Sequence, residues 1–323
     1  MTSPSGRAVN PIIGKVPTGT FNDTRVGLSG TWQQPVGQDK TGVYGANISK
    51  ERDYLSVGAN TSVARDFNQK NTTLLLGIAP EFDVSSPTGG LPVELSTQTA
   101  PGSIDGKNDT KWLASGLIGV TQVINPKTLM QWNYTLTYEH GYMDDPYKLL
   151  SVVNTGGDPL FAVYEKRPRS RMEHSLYWLT KYNLRAKDVA GLGLRYYGDD
   201  WGVRSQTIDF TYHWQYGERH FLEPHVRYYH QAKADFFRIG LRNGQPLPTF
   251  ASADYRLDDL DGVTFGVRWG WTLRNGSELI LRAEYYTQTG ESNPSDAVGI
   301  QRGYDLFPTI NATILQIEYK FSL

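Results

Sequence analysis

The chain has 323 residues, only 39% of them hydrophobic, and a mean hydropathy of −0.46. No stretch approaches the roughly 18 consecutive apolar residues of a spanning helix, so a helical membrane protein is excluded. With 32 Lys and Arg against 33 Asp and Glu the net charge is −1, which lacks the basic excess of a nucleic-acid binder; the absence of Cys removes disulfides, thiolate nucleophiles and zinc–thiolate sites.

The first ten residues, MTSPSGRAVN, carry no charged-then-apolar export signal, so an exported chain is expected to be met here after processing. Residues 1–23 are read as a periplasmic N-terminal segment and 24–323 as the folded domain. Period-two alternation then marks strands near 24–34, 53–67, 71–84, 111–123, 127–142 and 171–184. It marks six more near 188–199, 201–216, 218–232, 261–274, 276–290 and 309–323. Met130, Trp132, Tyr134, Leu136 and Tyr138 alternate with Gln131, Asn133, Thr135, Thr137 and Glu139. Val263, Phe265, Val267, Trp269 and Trp271 do the same against Thr264, Gly266, Arg268 and Gly270.

Short connections (67–70, 124–127, 183–187, 216–219 and 274–277) alternate with mostly long ones (35–52, 85–110, 143–170, 233–260 and 291–308); 198–200 is the one short link in the second set. Long aromatic-rich strands, tight turns on one side and long loops on the other predict an all-β protein. The expected fold is a single transmembrane, antiparallel, up-and-down β-barrel of about 12 strands in a bacterial outer membrane, with periplasmic turns and extracellular loops. An even count places both termini in the periplasm. The 20 Tyr, 8 Trp and 12 Phe suit interfacial belts, which a soluble sandwich would have no use for.

Four segments carry a family resemblance: GYMDDPYK (141–148), RSRMEHSLYW (169–178), RYYGDDWGVRSQT (195–207) and GERHFLEPHVRYYHQAKADFF (217–237). They resemble an uncharacterised family of Gram-negative outer-membrane proteins, known chiefly as a domain of unknown function. The resemblance implies a barrel and an outer-membrane location, and no reaction. Outer-membrane barrels commonly end in Phe, whereas this chain ends Tyr319-Lys-Phe321-Ser-Leu323, a departure in the signal for barrel assembly.

If apolar positions face lipid, the opposite parity faces the lumen. It holds Arg25, Glu81, Asp83, Glu139, Glu173, Lys181, Arg195, Asp209, Glu223, Arg227, Arg268, Arg282, Glu284, Glu318 and Lys320. Mixed charges there either line an aqueous path or pair and plug the bore. Across the 216–219 turn the alternation predicts Asp209 opposite Arg227 and His213 opposite Glu223. At the extracellular rim, Asp144, Asp145, Pro146, Tyr147, Asp199, Asp200, Trp201, Arg204 and Asp235 are candidates for a site or for locking strand ends together. Their carboxylates read more readily as turn formers than as a calcium site, and no metal or cofactor is expected. The loop 233–260 presents Arg238, Arg242, Phe236 and Phe237 to a partner or ligand.

His213, His225 and Glu223 lie near one another, but no G-x-S-x-G motif occurs and an enzyme is not expected; His174 falls on the lipid parity. The expected partners are outer-membrane lipid, lipopolysaccharide and an envelope protein, with no nucleic acid. A passive channel for small solutes leads. A closed scaffold for a lipoprotein or redox partner is the alternative, and a barrel-embedded enzyme is a distant third.

Overall fold

The computed structural model describes residues 24–321 apart from 186, 292, 295 and 308. The predicted periplasmic segment 1–23 lies outside the described residues, as does Leu323. In chain order the first strands are β1 (Val26–Pro35), β2 (Lys40–Lys50), β3 (Tyr54–Phe67), β4 (Thr72–Ser85), β5 (Asp109–Asn125) and β6 (Thr128–Gly141). Then come β7 (Leu149–Val153), β8 (Pro159–Tyr164), β9 (Ser170–Arg185), β10 (Asp188–Asp199), β11 (Arg204–Tyr216) and β12 (His220–Ala232). The last four are β13 (Gly240–Arg242), β14 (Leu260–Thr272), β15 (Glu278–Gly290) and β16 (Ile310–Lys320).

All but β7, β8 and β13 form one 13-stranded antiparallel sheet in which sequence neighbours are spatial neighbours. This meander follows from the short connections, because an antiparallel pair needs only a tight turn. One end of the sheet carries tight turns and the other carries nearly all of the long loops, as expected.

The strand count of about 12 is corrected to 13 by β2, which occupies the predicted loop 35–52. Tyr44, Ala46 and Ile48 do alternate there, but Gly42, Gly45 and Asn47 dilute the signal because these residue types disfavour strands. Packing explains their use. A Cβ on Gly45 would lie 2.3 Å from the Asn60 side-chain oxygen, so the Asn60 amide occupies the space this glycine leaves open across β2 and β3. The extra strand reverses β1, which now starts at the loop end. Both sheet edges, β1 and β16, therefore run from the loop end to the turn end, and the even-count placement of the described N-terminal strand fails.

The two faces differ as the alternation requires. The apolar face is exposed, with Ile78 at 63% and Phe265 at 58%. At the turn end it carries an aromatic girdle: His220 stacks on Trp269 and Trp271 at centroid distances of 6.0 and 5.7 Å, and Trp269 Nε1 donates to the Tyr216 hydroxyl at 2.9 Å. At the loop end Trp112 meets Tyr138 and His140 at 5.4 and 6.1 Å. From Trp132, near the turn end of β6, to His140 in the loop-end girdle is eight residues, about 27 Å along a strand. Strand tilt brings this to the scale of the roughly 25 Å apolar band of an outer-membrane barrel.

The long loops fold on one another as a cap at the loop end. There β7 pairs with β8 antiparallel and with β13 parallel. Leu150, Val152, Val163, Leu241 and Ala251 bury one small core beneath this second sheet. Trp201, Val203, Ala234, Phe236, Phe237 and Leu257 bury another. Gly299 binds the last loop to the β7–β8 turn: at φ +54°, with a Cβ position only 1.9 Å from the Gly156 carbonyl oxygen, no larger residue fits.

Candidate functional site

Every charged residue predicted for the lumen lies on the polar face of the sheet. The 217–219 turn sets β11 against β12 with Asp209 opposite Arg227, as the alternation predicts. Arg227 Nε lies 2.6 Å from Asp209 Oδ2, and His213 Nδ1 lies 3.1 Å from Glu223 Oε2. The pairing continues across β14 and β15. His225 stands between two carboxylates, with Nε2 3.0 Å from Asp209 and Nδ1 2.9 Å from Glu284; Arg282 reaches Glu284 at 2.7 Å. One step toward the turns, Arg268 approaches Glu223 at 3.4 Å.

A second group lies toward the loop end of β3 to β10. Lys111 Nζ bridges Asp83 and Glu139 at 3.4 Å each, the Tyr54 hydroxyl donates to Asp83, and Ser56 donates to Glu81 at 3.0 Å. Arg171 lies 3.2 Å from Glu173 and 2.5 Å from Asp199, and its guanidinium covers the Trp201 ring at 4.5 Å. The remaining predicted positions are more isolated. Arg25 donates to Ser49 at 2.7 Å, Arg195 lies over the Tyr177 ring at 5.6 Å, and Lys320 lies 3.5 Å from Glu318. Lys181 has no ion pair among the described residues.

The predicted rim residues other than Arg204 lie within the cap. Asp199 Oδ1 accepts from the Trp201 and Val203 amides at 3.0 and 2.9 Å, and Asp200 accepts from the Met172 amide at 3.0 Å. The Asp235 amide donates to the Trp201 carbonyl at 2.8 Å. The Asp235 carboxylate fills the space beside Gly202, whose φ is +87° and whose Cβ would fall 2.4 Å from it. Asp145 closes an Asx turn over Pro146 by accepting from the Tyr147 amide at 3.0 Å, and the Tyr147 hydroxyl donates to Asp53. Arg204 stands exposed at the start of β11.

The alternation does not reveal the buried ion cluster beneath the cap. Arg167 joins Glu165 at 2.7 Å and Asp254 at 2.9 Å; Arg256 joins Asp145 at 3.0 Å and also Asp254; Lys148 approaches Asp254 at 3.8 Å. Ser252 donates to Glu165 at 2.5 Å, and Asp144 accepts from the Arg167 amide at 2.6 Å. The carboxylates of Asp144, Asp145, Glu165 and Asp254 thus face the cations of Arg167, Arg256 and Lys148, an excess of one negative charge. Burial pushes the Asp144 carboxyl up to about 7, opposed by the Arg167 amide and reinforced by Glu165 and Glu94. Burial also raises Asp145 and Glu165. Asp254 is buried too, but the Arg256 and Arg167 guanidiniums outweigh that penalty and hold it well below the usual carboxylate range.

These opposed shifts predict a stability optimum. The folded cap takes up a proton at Asp144 between about pH 4, the ordinary carboxylate value, and about 7, so its stability rises as pH falls through that window. The stabilisation from Asp254 is present above its unfolded value and is lost as pH falls below about 4. Hydrogen exchange over residues 142–169, corrected for intrinsic chemistry, is expected to be slowest near pH 5. Protection that instead increases steadily from pH 5 to 8 would refute this assignment.

The family described as a protein of unknown function, DUF3570, matches residues 2–321. No curated protein matches the sequence. Among solved structures, the siderophore receptor PirA from Pseudomonas aeruginosa is similar at TM-score 0.53 and 11% identity, over 91% of this chain and 50% of the receptor. The ferric enterobactin receptor PfeA from the same organism gives 0.51 and 13%, over 82% and 42%. PirA from Acinetobacter baumannii gives 0.50 and 12%, over 93% and 48%. The chain spans about half the length of these receptors, and at such identity the likeness shows the fold. An exposed apolar face between two aromatic girdles, on this sheet architecture, places the protein in the bacterial outer membrane. With the match running over nearly the whole sequence, the chain belongs to the DUF3570 family of proteins of unknown function.

Proposed function

We propose that the protein is a closed outer-membrane β-barrel that passes small solutes through a polar interior, with the cap restricting entry from outside. The seam joins the β1 and β16 edges, the apolar face meets lipid and lipopolysaccharide acyl chains, and the polar face becomes the lumen wall. The exposure of the arginines in the central ion ladder carries this reading: the Arg227 side chain is 52% exposed and that of Arg282 42%, so these cations reach into open space from partners held closer to the sheet. Near-balanced signs on that wall imply weak charge selectivity.

A second reading is favoured by the cap. Four loops folded around two apolar cores and a buried ion cluster make a more defined surface than passive entry needs, and suit a closed scaffold for another envelope component. Planar-bilayer conductance separates the two. The purified protein should give discrete conducting steps, larger when the cap is loosened by Arg167→Met. Absence of steps from both proteins, each shown to be folded by its heat-modifiable migration, would remove the channel and leave the scaffold.

A further inference from the structure

The cap holds a half-open cavity of about 600 Å³ between β7, β8 and β13, the 243–248 segment and the loop residues Asp296–Gln301. That volume is on the scale of small-molecule sites. One wall is apolar and rigidly held: Leu95, Val152, Phe161, Val163 and Leu241 line it, and Val152, Val163 and Leu241 belong to the buried core beneath. The lining also includes two cations, Arg238 and Arg242. Arg238 Nη1 is held by the carbonyls of Asp235 and Phe237 at 3.0 and 2.6 Å, which orient the guanidinium without neutralising it. Arg242, next to Leu241 on β13, lines the same cavity, is exposed, and has no ion pair or hydrogen-bonded side-chain partner among the described residues. The one acid in the lining, Asp296, is exposed and lies 4.0 Å from Lys233, which Asp259 shares at 3.9 Å, so the two arginines outnumber it.

An apolar wall with uncompensated guanidiniums fits a ligand with an apolar body and an anionic head. Arginine also offers a carboxylate two parallel donors. We propose that this cavity is a binding site for amphipathic organic anions, specifically carboxylates with a compact apolar or aromatic body. The site is preformed: its walls come from paired strands and a packed core, so binding needs little ordering of the cap. The proposal uses the outer-membrane reading only to place the cavity on the external side, and binding does not depend on whether the barrel conducts.

The test uses the full chain in lipid nanodiscs, with 2-naphthoate as the probe and neutral 2-naphthamide as its uncharged counterpart, followed by isothermal titration. Empty nanodiscs provide the partitioning background. One saturable site per chain is expected, at least tenfold tighter for the carboxylate than for the amide. Arg242→Gln removes an exposed, unpaired side chain and should fold as the parent does. It is expected to weaken naphthoate binding about tenfold, and the Arg238→Gln, Arg242→Gln double variant should bind acid and amide alike. Equal affinity of the parent for acid and amide would overturn the proposal, as would unchanged binding in the double variant or no saturable binding at all. A protein that binds naphthoate yet never conducts would retain this site and lose only the channel.

Discussion

Arg167→Met is expected to unfold the cap while leaving the sheet intact. Arg167 is enclosed by Glu165 and Asp254, whose side chains are each only 1% exposed. Methionine occupies similar volume, so the loss is electrostatic: two buried carboxylates lose their shared guanidinium. Breaking a buried pair by removing one partner typically costs about 3–5 kcal/mol. The exposed Asp209–Arg227 pair, by contrast, contributes roughly 0.2–1 kcal/mol. The two classes of ion pair therefore have different roles: the cluster under the cap determines its stability, while the ladder on the polar face sets the character of that surface. Limited proteolysis should cut within 142–169 and 233–259 in the variant and spare those segments in the parent. Both proteins should keep heat-modifiable migration, because β1 to β6 make no use of Arg167. A cap as protease-resistant in the variant as in the parent would show that the apolar cores suffice without the ions.

The second large effect concerns which face meets lipid. Leu136 and Thr135 are neighbours near the middle of β6, and their side chains lie on opposite faces of the sheet. Leu136→Arg should destabilise the protein in vesicles by about 2–4 kcal/mol, the cost of arginine at the midplane of a barrel's lipid face. Thr135→Arg places the same charge on the polar face, opposite Leu117 and Ser175, and should cost less than about 1 kcal/mol there. Urea titration of the vesicle-inserted proteins measures both. Equal penalties at the two positions would show that neither face sees hydrocarbon.

The strands of the large sheet are legible because one exposed apolar face and one polar face impose a strict period of two over ten or more residues. In a hairpin with a tight turn, that period also determines register, so the pairing of Asp209 with Arg227 follows from the sequence alone. β2 is hidden from the alternation where Gly42, Gly45 and Asn47 interrupt it, and that one additional strand reverses the direction of β1. The positions of Lys111 and Arg171 on the polar face were open to the same parity reading, since both lie on strands that the alternation identifies. The cap lay beyond it altogether. Arg167 meets Asp254 across 87 positions, and Arg256 meets Asp145 across 111. Loop segments have no period through which such distant charges announce that they will be buried together. What the sequence did show was the Asp144-Asp145 and Asp199-Asp200 pairs. Their role emerged only with the folded loops, as caps and ion partners that hold the strand ends.

The central claim is that water fills the space beside the polar face and lipid covers the other. The chain contains no Cys, so any introduced thiol is unique. Single cysteines at Thr135, Thr207 and Gln316, and at their neighbours Leu136, Ile208 and Ile317, sample both faces of β6, β11 and β16. The measurement is the rate of reaction of each vesicle-inserted variant with a charged, membrane-impermeant thiol reagent. Rapid labelling at 135, 207 and 316, with protection at 136, 208 and 317, is the predicted result. Rapid labelling at 136, 208 and 317 with protection at the other three would contradict it.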